Sequence, residues 1–308
     1  MSISKIKSVF ENVSTCEAWS LQLLQINNSS DVTTYSTREI TLSPEGTLTK
    51  FLSEISDRYC SKETGLEKMF ESVIDYDGST VGKKIYKLTI DNDLISKEYP
   101  ELIKAIGNPE SEVNPLEFSA KAYIVNGIIS INNKDLSVKL ISMQNPVTSL
   151  KHKFWSANGT FREISDKVIS LRTVIDVVIV DKTVYMLTLA GENLFNMERA
   201  YRSVCKKEIT NITDLGIIND TEAFKTVASC GHNPRKFVSF NESHLQKLKD
   251  ANNRKKISKK FNIPLDGDKF DVSKPEVADK LVKLLCDRGM VDPFDENPME
   301  VSSSKKWE

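Results

Sequence analysis

Between residues 171 and 195 the chain reads LRTVIDVVIVDKTVYMLTLAGENLF. Residues 174–180 are an almost unbroken Val/Ile run, and residues 184–189 are a second β-prone run carrying Tyr185. The polar cluster Asp181-Lys182-Thr183 separates them and is the natural turn, so the pair predicts a hairpin. The first run is apolar at odd and even positions alike. A strand of that kind is buried on both faces of a sheet. Past Gly191 the spacing lengthens: Leu194, Phe195, Met197 and Tyr201 recur at helical intervals, which predicts a helix packed on the hairpin.

The same reading, taken from the start, predicts a helix over 3–13 with Ile6, Val9, Phe10 and Val13 on one side. Strands follow over 18–26 and 33–42, with residues 27–31 turning between them. A helix beginning at Ser43-Pro44-Glu45 presents Leu48, Phe51, Leu52, Ile55 and Tyr59. Residues 67–74 and 83–90, around a turn at Asp77-Gly78, fit two strands or a strand and a short helix. Residues 94–106 read as a helix interrupted near Pro100. The cluster GNPESEVNP at 107–115 marks a boundary. Strands then alternate over 118–125, 128–131 and 136–143, with turns at Asn126-Gly127 and Asn132-Asn133. Residues 151–155 and 160–164 flank a further turn at Asn158-Gly159.

After the central hairpin and its helix, the pattern is weak as far as Asp220. Residues 222–229 then form a short helix that Asn233-Pro234 ends. Residues 242–261 form a longer helix whose apolar stripe is thin (Leu245, Leu248, Ile257, Phe261). Residues 263–270 look extended. Lys274-Pro275-Glu276 opens a last helix, with Val277, Leu281, Leu284 and Leu285 on one face and Gly289 closing it. The expected fold class is α+β: a mixed, largely antiparallel β-sheet core with packed helices and a helical C-terminal part. The expected domains are 1–110, an N-terminal α+β domain, and 111–308, with a β-rich core (111–220) and a basic helical part (221–308).

Composition changes this picture little. Charged residues at 28% and hydrophobic ones at 39% suit a globular chain long enough for a sizeable core. No apolar run approaches the roughly 20 residues of a membrane span, and the first residues lack a signal-peptide core. Cys16, Cys60, Cys205, Cys230 and Cys286 form no CxxC, which fits free thiols. A cytoplasmic protein is expected.

Charge is uneven. Residues 1–120 hold 12 Lys/Arg against 19 Asp/Glu, whereas residues 231–262 hold 9 against 2. That short basic segment comprises Arg235, Lys236, Lys247, Lys249, Arg254, Lys255, Lys256, Lys259 and Lys260. Lys249, Lys256 and Lys260 share one helical spacing and Lys255 and Lys259 another. Such a surface neutralises phosphates and releases counterions, which gives salt-sensitive binding without base reading. A solvated helix face, an acidic protein partner or an anionic membrane surface fits the same charges.

Enzyme motifs are scarce. The sequence has neither type of Gly-rich phosphate loop and no GxSxG elbow. His152, His232 and His244 have no acidic neighbour at a catalytic spacing, and Cys230 with His232 makes at most half a metal site. The enzymatic alternative is a metal-dependent nuclease built on Glu163, Asp176, Asp181 and Lys182. Against it, Asp181 and Lys182 are adjacent and would point to opposite faces of a strand, and Asp suits the turn they occupy.

The run Ile175-Asp176-Val177-Val178-Ile179-Val180, then Val184-Tyr185, a helical Phe195, Lys255-Lys256 and the closing helix near Gly289 together resemble the KwaB family of the Kiwa anti-phage defence system. The likeness spans roughly residues 110–300 and rests on packing motifs. It implies a cofactor-free effector, dimeric or higher in order, that binds phage DNA non-specifically. Such an effector blocks replication or transcription and is recruited to the inner membrane by KwaA, a small multi-pass membrane protein. A nuclease with the same defence role, or an adaptor that binds no DNA, stays open. The DNA-binding candidates are the nine basic residues above, and they come from charge, not from a family motif.

Overall fold

The computed structural model describes residues 3–13, 19–29, 32–79, 81–111, 117–149, 154–157, 160–163, 167–292 and 294–301. It is built from two compact units: Met1–Asp75 with Lys83–Asn196, and Tyr76–Gly82 with Met197–Glu308. The position after residue 110, expected to be a domain boundary, lies inside the first unit, because strands from both sides of it pair in one sheet.

The first unit opens as the periodicity predicts. Helix α1 (Ile3–Asn12) buries Ile6, Val9 and Phe10. Strands β1 (Ser20–Asn28) and β2 (Thr33–Ile40) form an antiparallel pair. Helix α2 (Thr47–Cys60) buries Phe51, Leu52, Ile55 and Tyr59. A short α3 (Leu66–Met69) leads to β3 (Ser72–Asp75) and β4 (Lys84–Thr89), followed by α4 (Glu98–Gly107). Then come β5 (Ala122–Ile131), β6 (Lys134–Ser142), β7 (Val147–Ser149), β8 (Phe154–Ala157), β9 (Thr160–Glu163) and β10 (Lys167–Ile169). The central hairpin is β11 (Val177–Val180) and β12 (Thr183–Met186), and α5 (Gly191–Leu194) follows.

Eight strands make one sheet in the order β2-β1-β5-β6-β11-β12-β4-β3. Its pairings are antiparallel except for β3 with β4. The central hairpin lies inside this sheet, and all four residues of β11 are buried. Val178 and Val180 join Leu140, Tyr123 and the buried faces of α1 and α2 in one core. Val177 and Ile179 are buried on the other face. Each such side chain contributes about 1.5–3 kcal/mol by leaving water. Polar bonds fasten the helices to the strands. The Tyr59 hydroxyl donates to the Ile175 carbonyl at 3.1 Å and accepts from its amide at 2.7 Å. Buried Gln22 donates to the Ile106 carbonyl at 3.2 Å, and Thr37 to that of Ala105 at 2.7 Å, which ties α4 to β1 and β2.

Several local expectations give way to packing. Asn126-Gly127 is not a turn: β5 runs straight through it, with Gly127 opposite Val138. A Cβ on Gly127 would stand 2.4 Å from the Trp19 ring, so the glycine marks a close approach and not a reversal. The real reversal is Asn132-Asn133, with both residues at positive φ. Pro100 does not interrupt a helix, because α4 starts at Glu98 and the proline sits in its first turn, where a missing N–H costs nothing. The helix after Gly191 is split. Asn196 adopts φ 47°, α5 ends, and a new helix begins in the second unit. In the 151–164 region, β8 and β9 pair as expected, and residues 151–153, 158–159 and 164 lie outside the described ones.

The second unit is helical. The expected helical positions Met197 and Tyr201 lie in α6 (Met197–Asp214), which continues into the stretch that looked weakly patterned and also buries Cys205, Ile209 and Ile212. Around it come α7 (Thr221–Ala228), α8 (Asn233–Lys236), α9 (Glu242–Leu248), α10 (Ala251–Phe261) and α11 (Pro275–Leu285). Two small hairpins complete it: β13 (Leu265–Asp266) with β14 (Lys269–Phe270), and β15 (Gly289–Val291) with β16 (Pro298–Glu300). The segment 263–270, expected to be extended, is therefore a tight hairpin. Cys205, Phe224, Phe237, Leu248, Phe270, Leu281 and Cys286 share the core of this unit. Tyr76–Gly82, the connection between β3 and β4, belongs here too. Gly78 has φ +75°, and a Cβ on it would stand 2.4 Å from the Arg235 carbonyl oxygen. The Asp77-Gly78 turn thus joins parallel strands, not a hairpin.

Candidate functional site

The basic segment is where the structure departs most from a uniform charged surface. The single helix expected over 242–261 is two helices. Asp250 leaves helical geometry, and its carboxylate accepts from the Asn252 amide at 2.8 Å, an N-cap that starts α10. The end of α9 is closed by Arg254, whose Nη1 donates to the carbonyls of Leu248 (2.7 Å) and Lys249 (2.9 Å) while Nε donates to that of Asp268. Orphan carbonyls at a helix C-terminus are thereby satisfied by a cation, which also suits the helix dipole. Arg254 is 9% exposed. It is a clasp inside the fold.

Two more of the nine basic candidates are committed in the same way. Arg235 donates Nε to the Gly78 carbonyl at 2.8 Å, and its guanidinium lies over the rings of Tyr76 and Tyr201. Lys236 donates to Asn233 Oδ1 at 2.8 Å and stands 3.8 Å from Asp279. Burial pushes the Lys236 pKa down, although Asp279 opposes that shift. Asp279 in turn is 2.8 Å from Lys283, which is 2.7 Å from Glu300. Burial raises the Asp279 carboxyl, but bonds from Lys283 and Asn233 outweigh it and hold its pKa below the ordinary value.

Lys247, Lys249, Lys255, Lys256, Lys259 and Lys260 are exposed. Among the described residues one of them has a carboxylate partner: Lys255 lies 3.6 Å from Asp268, both more than 60% exposed, a pair worth little. Like charges at i and i+4 repeat in Lys255/Lys259 and Lys256/Lys260, an arrangement that costs a helix a few tenths of a kcal/mol per pair. The site is therefore a set of solvated ammonium groups, four on α10 and two at the end of α9. Its chemistry is attraction of several adjacent anionic groups.

Two carboxylates of the nuclease alternative, Asp176 and Asp181, lie at opposite ends of β11. Asp176 is buried, accepts from the Met143 amide at 2.7 Å and from the Thr188 hydroxyl, and pins the chain on both sides of β11. Asp181 is the turn residue of β11–β12, at φ 50°. Of Glu163, the place in β9 is described and its side chain is not. No group of three His, Cys, Asp or Glu able to hold a metal occurs among the described residues. His152 lies outside them. His244 is 3.5 Å from Asp287, and His232 and Cys230 are exposed. No helix among the described residues is long and apolar enough to cross a membrane.

The sequence reading missed the structural use of Arg254 and Arg288. An Arg four residues after the Asp250 cap is a signal for the first. Arg288 is 3% exposed, donates to the Asp77 carbonyl at 2.9 Å and lies 3.6 Å from the Asp77 carboxylate. Its partner is 211 residues away, and no local pattern announces it.

A family model described as Kiwa protein KwaB-like matches residues 119–291, more than half of the chain. The chain belongs to the KwaB-like family. Its role is therefore in Kiwa anti-phage defence. The matched span runs from just before β5 to the end of β15, and so includes the central hairpin and the lysine row. No curated protein and no solved structure matches the chain.

Proposed function

We propose that this KwaB-like protein is a DNA-binding effector of Kiwa defence. It holds phage DNA through phosphates, without reading bases, and so obstructs replication or transcription. The observation that carries this reading is the row Lys247, Lys249, Lys255, Lys256, Lys259 and Lys260: six exposed cations, five of them with no carboxylate partner among the described residues. A row of this kind suits a regularly charged polyanion better than a single small anion. The role needs no catalysis and no cofactor. KwaA is the proposed membrane partner that brings it to the inner membrane, and a dimer, also part of the proposal, would double the lysine rows on one duplex.

The test is equilibrium binding of the full chain to a duplex of arbitrary sequence, with and without Mg²⁺, followed by sizing of the DNA. Salt-sensitive binding of intact DNA, independent of Mg²⁺, is the expected result. No binding at low salt would favour an adaptor. DNA shortened when Mg²⁺ is present would favour a nuclease.

A further inference from the structure

A second cationic feature lies in the first unit, and the function proposed above does not use it. The β5–β6 hairpin overhangs its neighbour. Pairing of β6 with β11 begins at Val138 and Val180, whereas β6 pairs with β5 down to Lys134. Four residues of β6 therefore project past the β11–β12 tip, where the Asp181 amide donates to the Ser137 carbonyl at 3.1 Å. The step leaves a depression of about 900 Å³, within the range of small-ligand sites. Ile131, half-buried, and Leu136 and Val180, both buried, are its apolar lining and serve as its floor. Lys134 and Lys182, from the two hairpin tips, and Lys5, from the first turn of α1, stand around it.

The three lysines are exposed and have no carboxylate partner among the described residues. Asp181 is the one carboxylate in the lining, and Asn132 and Thr183 add neutral polar groups. The lysines suit phosphate oxygens. The floor suits a flat apolar ring, and Asp181 and Asn132 can accept from hydroxyl or amino groups. The strand register brings this combination together, because Lys134 and Lys182 each follow a left-handed turn residue (Asn133 and Asp181) at the same end of the sheet.

We propose that this depression is a nucleotide site that holds phosphates on Lys5, Lys134 and Lys182 and a base on the apolar floor. The ligand is either a free nucleotide or the 5′-phosphorylated end of a strand. The site is independent of the lysine row on α9 and α10 and stands or falls apart from it.

The test is calorimetric titration of the full chain with ATP, GTP, pyrophosphate and a 5′-phosphorylated tetranucleotide. Saturable binding of ATP or GTP, or of the tetranucleotide, is expected, and whichever binds tighter identifies the source. Affinity should fall at least tenfold in a Lys5→Met/Lys134→Met/Lys182→Met variant. It should be unchanged in Lys50→Met/Lys68→Met/Lys104→Met, which alters exposed lysines of the same unit outside the depression. In the unaltered protein, bound nucleotide should protect Lys134 and Lys182 from acylation, a readout that does not depend on how the variant folds. Pyrophosphate binding as well as ATP, absence of protection, or an equal loss of affinity in the Lys50→Met/Lys68→Met/Lys104→Met variant would each overturn the proposal.

Discussion

The central hairpin of the first unit and the α9–α10 segment of the second treat polar groups in opposite ways. At the start of the hairpin, Asp176 is buried, with the Met143 amide and the Thr188 hydroxyl donating to its carboxylate. On α10 four lysines face solvent, and one of them has a weak partner. Between these extremes stand Arg235, Lys236 and Arg254, which share the basic segment with the lysines but are bonded into the second unit. A run of like charge is thus two populations. Basic groups that satisfy carbonyls and stack on rings hold the fold, and those with nothing to satisfy are available to a partner.

The largest effect should come from breaking the hairpin. Val178 is fully buried opposite Leu140 and Tyr185, so Val178→Asp leaves an unpaired buried charge and should cost about 3–5 kcal/mol. Circular dichroism during heating should show early loss of the sheet; an unchanged melting temperature would mean that the strand is not central. Arg254→Ala comes next. It removes the donors to three carbonyls and should lower stability by about 2–3 kcal/mol, read by urea denaturation. Lys256→Ala/Lys259→Ala, in contrast, should stay within about 0.5 kcal/mol of the unaltered protein. If both variants lose stability alike, the division into two populations fails.

A subtler contrast concerns pH. The Asp279 pKa is depressed in the folded protein, so its contribution is present above the unfolded carboxylate value and disappears as pH falls through the folded one. Asp279→Asn should therefore be less stable than the unaltered chain near pH 7. The difference should close in the acid range below about pH 4, which thermal melts across pH would follow. The smallest effect is chemical. Cys230 is exposed, while Cys205 and Cys286 are buried, and burial pushes the Cys205 thiol up to about 11. Brief alkylation at pH 8 should mark Cys230 and spare the other two, as mass spectrometry would show.

Elements set by their own period were legible in the sequence. The Val/Ile run of β11, the 3.6-residue stripe of α2 and the Lys274-Pro275 start of α11 needed no distant information. Where two elements meet, a local pattern has several outcomes. Asn126-Gly127 is a common turn dipeptide, yet Trp19 needs the space and the strand continues. Asp77-Gly78 turns as read, but strands on either side end up parallel because residues 76–82 are drawn into the other unit. Asp250, inside the single helix expected over 242–261, is the N-cap that starts a second helix. In the candidate site, charge and spacing identified the exposed lysines. They could not separate Arg235, Lys236 and Arg254 from them, because burial depends on carbonyls and rings supplied from elsewhere in the chain.

The account rests on the exposed lysines being the groups that meet phosphate, and a salt series tests this directly. Binding of an arbitrary duplex would be measured from low to moderate salt for the unaltered protein and for Lys255→Ala/Lys256→Ala/Lys259→Ala/Lys260→Ala. The prediction is weaker binding by the variant and a slope of log affinity against log salt that is shallower by about 0.9 for each phosphate no longer neutralised. Equal affinity and equal slope in the two proteins would contradict it.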